Sequence, residues 1–377
     1  MKKLLVTVVS FFCLANVLFA QTNEDLLIDE IISQVDTEAL RLIVEQLSGE
    51  MPLDDGSFIA TRRVGTAGNE KAADFIAEQY SNIGTLDIKR DSFNTLGIAR
   101  LVGALFKLIM FSTFDPDQYE ELLDALDETL GFIRDSEIKR SENILATLRG
   151  ESRKSVFTTA HYDSLVSDLE PPLELIVEDA LAPGADDNAT GVAATIIAAR
   201  ILSEYRFRNN ICFMNTDAEE LGMFGSMSYV LQHLFGMKRI KSVINIDMIG
   251  YDHDHDGLIN VPYGDDALRD TVSREYNRLG LAVDPVFLSM DALLNQSEYS
   301  PMASDHFPFY LIGGVDNVVS FGEVFWLSET EFASNETNSA YHTEEDTVEN
   351  INFDYMTEIV KLYIAILARE ASIIGRR

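Results

Sequence analysis

Apolar positions in this chain follow two rhythms, and the rhythm changes near residue 142. Before it, NEDLLIDEIISQVDTEALRLIVEQLSG (23–49) repeats apolar residues at helical spacing and stops at Gly49, predicting one or two helices. NEKAADFIAEQYSNIG (69–84) predicts another, stopped by Gly84, and TLDIKRDSF (85–93) reads as a strand. After it, NILATLRG, SVFTTAHYDS, NNICFMNTDAEE, IKSVINIDMIGY and NVVSFGEV read as strands. GVAATIIAARILSEY, MFGSMSYVLQHLF and DDALRDTVSREYNRLG read as helices between them, and a long helix from about 353 closes the chain. Such alternation predicts an α/β fold, a mostly parallel twisted sheet with helices on both faces. No repeat or long linker divides residues 21–377, so one domain is expected.

Two stretches fall outside that rhythm. Residues 96–141 open with the apolar run LGIARLVGALFKLIMF and continue to QYEELLDALDETLGFI, which sets Leu122, Leu123, Leu126, Leu130 and Ile133 on one helical face. This reads as an inserted helical hairpin; Arg100 and Lys107 within the run argue against a membrane span. Residues 1–20, MKKLLVTVVSFFCLANVLFA, have two lysines, an apolar run and a small residue at Ala20, the pattern of a secretory signal peptide cleaved near there. Export to the periplasm or the extracellular space is therefore expected. Cys13 leaves with that segment, so Cys212 is alone and no intramolecular disulfide is possible.

Charge narrows the partners. The formal net charge is −33, from 62 acidic against 29 basic residues. That surplus repels nucleic acid and anionic lipid, and suits a cationic ligand, a metal ion or plain solubility. No stable membrane insertion is expected, and oligomeric state is left open.

Polar groups of chemical interest sit where the strands end, the place where open α/β sheets build ligand sites. AHYDS offers His161, with Asp163 placed to take its other ring N–H. PGADDNATG offers Asp186 and Asp187 before a helix. Acidic residues suit a helix N-terminus, but two adjacent aspartates exceed what a cap needs, and one carboxylate could bridge two cations. DAEELGMFGS offers Glu219 and Glu220, one able to bind a metal while the other faces its water as general base. NIDMIGY places Asp247 in an apolar strand, where a charge needs a partner. YHTEEDTVENI offers His342 beside Tyr341. Collected, the candidate ligands are His161, Asp187, Glu220, Asp247 and His342. Imidazole and carboxylate without thiolate suit zinc at a hydrolytic centre.

In order and context these segments resemble the di-zinc aminopeptidase family, which also includes glutamate carboxypeptidase, the transferrin-receptor ectodomain and the glutaminyl cyclases. The resemblance covers 142–377 and extends more weakly to TRRVGTAGNEKAADFIAEQY (61–80). It implies a three-layer sandwich and two zinc ions. His161 and Asp247 would bind one, Glu220 and His342 the other, with Asp187 shared. It makes Glu219 the general base and then the general acid, Asp163 the residue orienting His161, and Tyr341 the donor to the oxyanion. Asp305 and His306 in SDHFPF resemble a feature lining the substrate side. The implied substrate is a peptide with a free N-terminus.

Three other readings compete. A glutaminyl cyclase would use one zinc, with a disrupted bridging segment and a tryptophan before the last histidine; here GADDNATG is intact and Tyr341 holds that place. A carboxypeptidase would share the ligand set, which does not choose the peptide end. A receptor that lost catalysis would not be expected to keep Glu219 and all the ligands. Finally, YDHDHDG (251–257) is the densest metal-like stretch. Asp252, Asp254, Asp256 and Gly257 match the opening of a calcium loop, but its twelfth position is Tyr263 rather than glutamate, so a solvated loop is favoured over Ca²⁺.

Overall fold

The computed structural model describes residues 21–98, 100–101, 140–167, 180–291, 304–322 and 338–377. The signal-peptide segment and all but the ends of the expected hairpin lie outside these residues.

Three helices come first: α1 (Asn23–Ile32), α2 (Thr37–Leu47) and α3 (Ala67–Ile83). Thr22 and Asp25 form a reciprocal cap on α1, Asp36 and Thr66 cap the next two, and Gly84 ends α3 in the left-handed region at φ 76°. The sheet is built from β1 (Asp87–Phe93), β2 (Ser141–Leu148), β3 (Ser155–His161), β5 (Asn210–Thr216), β6 (Ile240–Asp247), β7 (Leu258–Tyr263), β8 (Asp284–Ser289) and β9 (Val318–Gly322). Its order is β1-β2-β5-β3-β6-β9-β7-β8. The centre, β5-β3-β6-β9, is parallel, with His161 opposite Thr216 and Asp247 opposite Gly322. β2 joins β5 antiparallel, as β1 joins β2, and β7 joins β9 antiparallel. The sheet is thus mostly parallel, with antiparallel joints on both flanks.

Helices α4 (Gly191–Leu202), α6 (Asp266–Leu279) and α8 (Phe353–Glu370) share one face with α1–α3 in the larger core. Helices α5 (Phe224–Gln232) and α7 (His306–Leu311) cover the other, over Leu145, Phe157, Cys212 and Met214. The result is the expected three-layer sandwich. Cys212 is buried and free, its thiol pushed up to about 12 by burial. Beyond α8 the chain returns as β10 (Ile373–Arg376), paired with β4 (Tyr205–Phe207), so a strand follows the helix expected to close the chain. β7 and β8 escaped the sequence reading because LINVPY carries a proline and DPVFLS is only half-buried, which blurs a strand's alternation. No helix among the described residues is long and apolar enough to cross a membrane.

The centre of α8 is buried on every side, so its removal from water should dominate domain stability. Leu362→Ala, at a fully buried site, should cost about 2–5 kcal/mol in urea unfolding; a loss below about 1 kcal/mol would show that α8 packs loosely.

Candidate metal centre

The carboxyl ends of β3, β5 and β6 open into one buried polar site. His161 is the last residue of β3 and Asp247 the last of β6. Glu219 and Glu220 lie in the turn after β5, Asp187 in the tight turn Ala185–Thr190 before α4, and His342 in the loop before α8. All the candidate ligands meet in two overlapping groups: His161, Asp187 and Asp247, and Asp187, Glu220 and His342.

Distances test whether these groups fit a metal. Asp187 Oδ1 lies 3.1 Å from His161 Nε2, and Asp187 Oδ2 lies 3.2 Å from His342 Nε2. Asp247 Oδ1 is 3.3 Å from His161 Nε2, and Glu220 Oε2 is 2.9 Å from His342 Nε2. Two ligands held ~2.0–2.1 Å from a tetrahedral zinc stand about 3.3 Å apart. The single carboxylate of Asp187 faces both groups, one oxygen to each. Asp247 Oδ1 and Glu220 Oε1 are buried and accept no hydrogen bond, an expensive arrangement unless a cation completes it. The residues fit two ions of the zinc type.

Neighbours hold each carboxylate by its outer atoms. Ser304 Oγ donates to Asp247 Oδ2 at 2.5 Å and accepts from Asn245, leaving Oδ1 to the site. Asp346 accepts the amides of Asp186 and Asp187 at 3.0 Å each. Asp186 turns away to the Gly250 amide and the Asn338 side chain, so of the adjacent aspartates it is structural. Asn188 caps the Gly191 amide and donates to the Ile246 carbonyl, pinning the turn to the end of β6. A Cβ on Gly191 would meet the Ile246 carbonyl oxygen at 2.4 Å, so that glycine is required by close approach. Asp163 has a second set of contacts beside those to His161. Its carboxylate accepts the amides of Glu219 at 3.1 Å and Glu220 at 3.2 Å, while His161 Nδ1 is 3.2 Å from its carbonyl oxygen and 3.6 Å from Oδ1. Asp163 therefore fixes the glutamate turn with its side chain and faces the imidazole with both its carbonyl oxygen and Oδ1.

The electrostatics favour positive charge. Burial opposes protonation of His161, yet Asp247, Asp163 and Asp187 hold its pKa well above the usual value. Burial also opposes ionisation of Asp187, yet the two imidazoles hold it below the usual carboxylate range. Glu220 is pushed up to about 8 by burial and by Asp187, and burial drives Glu219 well above its ordinary value. Asp217 is pushed up to about 7 by burial and by Asp163.

The remaining candidates fall around this centre. The Tyr341 ring stacks on His342 with centroids 3.6 Å apart. Asp305 accepts from the Thr216 hydroxyl at the end of β5, and His306 is buried, its pKa lowered to about 4 by burial alone. The YDHDHDG loop lies elsewhere. Asp252, Asp254 and Asp256 converge, but Asp254 accepts the Asp256 amide, Asp256 the Leu258 amide, and Asp252 the Gly257 amide and the Asn352 side chain. Asn352 is the N-cap of α8, so this loop docks the last helix. Asp346, placed by the sequence to cap the last helix, accepts the Asp186 and Asp187 amides instead, and Asn352 is that cap. Arg62, Asn188 and Ser304 have no mark in the sequence for the bonds they make to Tyr162, Ile246 and Asp247, dozens of positions away.

In fold the chain is similar to zinc aminopeptidases. It superimposes on the zinc aminopeptidase BSAP of Bacillus subtilis with a TM-score of 0.63 at 19% identity, covering 90% of this chain and 98% of that one. A glutaminyl cyclase of Bacteroides thetaiotaomicron, solved with N-acetylhistamine, matches with a TM-score of 0.60 at 14% identity, covering 89% and 98%. The chain belongs to peptidase family M28, whose family model matches residues 143–367. By sequence it is 27% identical over 231 residues to a probable leucine aminopeptidase of Trichophyton verrucosum, and 26% identical over 235 residues to leucine aminopeptidase 1 of Ajellomyces capsulatus. These matches cover 60% of this chain and 56% and 55% of the relatives, so the matched stretch spans about half of their length.

Asp217 allows a test of the site's electrostatics. A carboxyl that titrates near 7 in the fold, against ~3.9 unfolded, stabilises the fold below pH ~3.9 and loses that contribution as pH rises through 7. Chelator-treated Asp217→Asn should lose less stability than the native chain between pH 4 and 7 in urea titrations. Parallel pH profiles would show that Asp217 ionises normally.

Proposed function

We propose that this protein is an exported di-zinc aminopeptidase that removes N-terminal residues from peptides. The observation that carries the reading is the double-faced carboxylate of Asp187, which gives each oxygen to a different imidazole. His161 and Asp247 would hold one ion and Glu220 and His342 the other, sharing Asp187. Bound zinc would supply Lewis acidity at the scissile carbonyl and a water of lowered pKa.

The chain's own groups do the rest. Glu219 takes the proton of the attacking water as the new C–O bond forms, then passes it to the amine as the C–N bond breaks. A carboxyl whose proton affinity is raised by burial suits both halves of that task. Asp163 holds the glutamate turn through the Glu219 and Glu220 amides, so that the two side chains diverge in fixed directions. Tyr341 is assigned the hydrogen bond to the developing oxyanion. The dense carboxylate field around the site suits the α-ammonium of a peptide. The Asp252–Asp256 loop is assigned no ion, because its carboxylates already serve the backbone and the α8 cap. Export rests on the pattern of residues 1–20, and nucleic acid is excluded as a partner by the charge.

A glutaminyl cyclase is the second reading, since its fold matches about as well as the aminopeptidases do. The meeting of Asp187, Glu220 and His342 favours two ions and hydrolysis.

Purified protein should bind about two zinc equivalents, release nitroaniline from leucine p-nitroanilide, and stop when chelated. One equivalent with pyroglutamate formed from glutaminyl peptides would establish the cyclase instead. Glu219→Ala should keep both metals and lose roughly 10²–10⁴ in kcat, whereas Glu220→Ala should lose metal. If metal content falls equally in both variants, the two glutamates have been assigned the wrong way round.

A further inference from the structure

Arg62 is the most completely enclosed cation among the described residues, with no side-chain exposure to solvent. It lies between α2 and α3 and forms no ion pair with any described carboxylate. A guanidinium has five N–H donors, and here each goes to a main-chain carbonyl. Nε donates to Tyr162 at 2.7 Å; Nη1 donates to Leu47 at 2.9 Å and Pro183 at 2.5 Å; Nη2 donates to Gly184 at 2.8 Å and Asp187 at 3.3 Å. Its own amide is held by Ser164 Oγ and its carbonyl by Asn69.

All of those carbonyls except that of Leu47, at the end of α2, belong to the two segments that wall the metal centre. Tyr162 sits between His161 and Asp163. Gly184 and Asp187 belong to the turn that presents the shared carboxylate. One wall supplies a ligand to the first ion and the other supplies the ligand common to both. A rigid planar fork between them fixes their separation, and a flexible ammonium with three donors could not bond all of these carbonyls. The charge matters as well. Burying a cation without a direct counter-ion is costly, and what compensates it is the field of Asp346, Asp187, Asp163 and Glu220. The attraction is mutual, so the same cation offsets repulsion among those carboxylates.

We propose that Arg62 is a positioning residue of the metal centre, setting the spacing between the His161 strand end and the Asp187 turn and offsetting the carboxylates' like charge. This rests on the di-zinc reading above. The test compares the full mature chain with Arg62→Lys and with Ser164→Ala, which loosens the Arg62 backbone and leaves the guanidinium in place. Zinc affinity is measured by competition with a chromogenic chelator, melting temperature is measured in chelator, and kcat and KM are measured separately. Arg62→Lys should bind zinc about 10–100-fold more weakly and lose kcat with little change in KM; Ser164→Ala should show a smaller loss of affinity. A merely structural arginine would lower the melting temperature and leave the zinc affinity of folded protein unchanged. That result in Arg62→Lys overturns the proposal; if Arg62→Lys does not fold, native affinity in Ser164→Ala overturns it. Failure of the native chain to bind zinc would instead sink the di-zinc reading.

Discussion

Like charge confined out of water is the constraint around which this molecule is organised. Asp163, Asp186, Asp187, Asp217, Asp247, Asp305 and Asp346 are all buried near the ends of three neighbouring strands, with Glu219 and Glu220 between them. Carboxylates this close repel one another and resist desolvation. The structure answers with directed dipoles. Backbone amides of the 185–187 turn point at Asp346, those of the glutamate turn point at Asp163, and the Gly250 amide points at Asp186. Much of the loop geometry follows from that requirement. The turns are tight because successive amides must reach the two oxygens of one carboxylate, and Gly191 is bare because the turn must touch β6.

These supporting bonds divide the carboxylates into two kinds. Asp186 and Asp346 spend their oxygens on neighbours and are part of the frame. Asp187, Asp247 and Glu220 each leave at least one oxygen turned inward. The distinction is invisible in composition, since adjacent aspartates in one turn fall on opposite sides of it. It is set by which side chain the 338–346 loop can reach, and that loop folds back across more than 150 positions of chain to reach it.

What could be read in the sequence follows the same division. His161 and Asp247 stood out because an apolar strand that ends in a charge or an imidazole breaks its own logic. Glu219 and Glu220 stood out for the same reason, and the parallel sheet was legible from the alternation that contained them. Arg62 was not, because its bonds to Leu47, Tyr162 and Gly184 depend on three segments brought together only by the fold. Asp163 was noticed for its distance in sequence from His161, and its main contacts proved to be on another strand's turn. The YDHDHDG loop is the opposite case, dense in carboxylates yet read as a solvated loop because its twelfth position is Tyr263. Each of its carboxylates accepts a nearby backbone amide, the local bonding by which aspartate shapes turns.

Helix α8 has a consequence for how the chain reaches this state. Its apolar residues complete the larger core, Thr357 meets Thr37, and Arg369 pairs with Glu24 at 2.9 Å. Helices α2 and α3 pack on α4 as well, but the core around the first helices stays incomplete until the last helix has been made. Contacts of such sequence separation form late and slowly. A growing chain would therefore stay open for most of its synthesis, and the site's ligands, drawn from β3, β6 and the loop before α8, would come together only once nearly the whole chain is available.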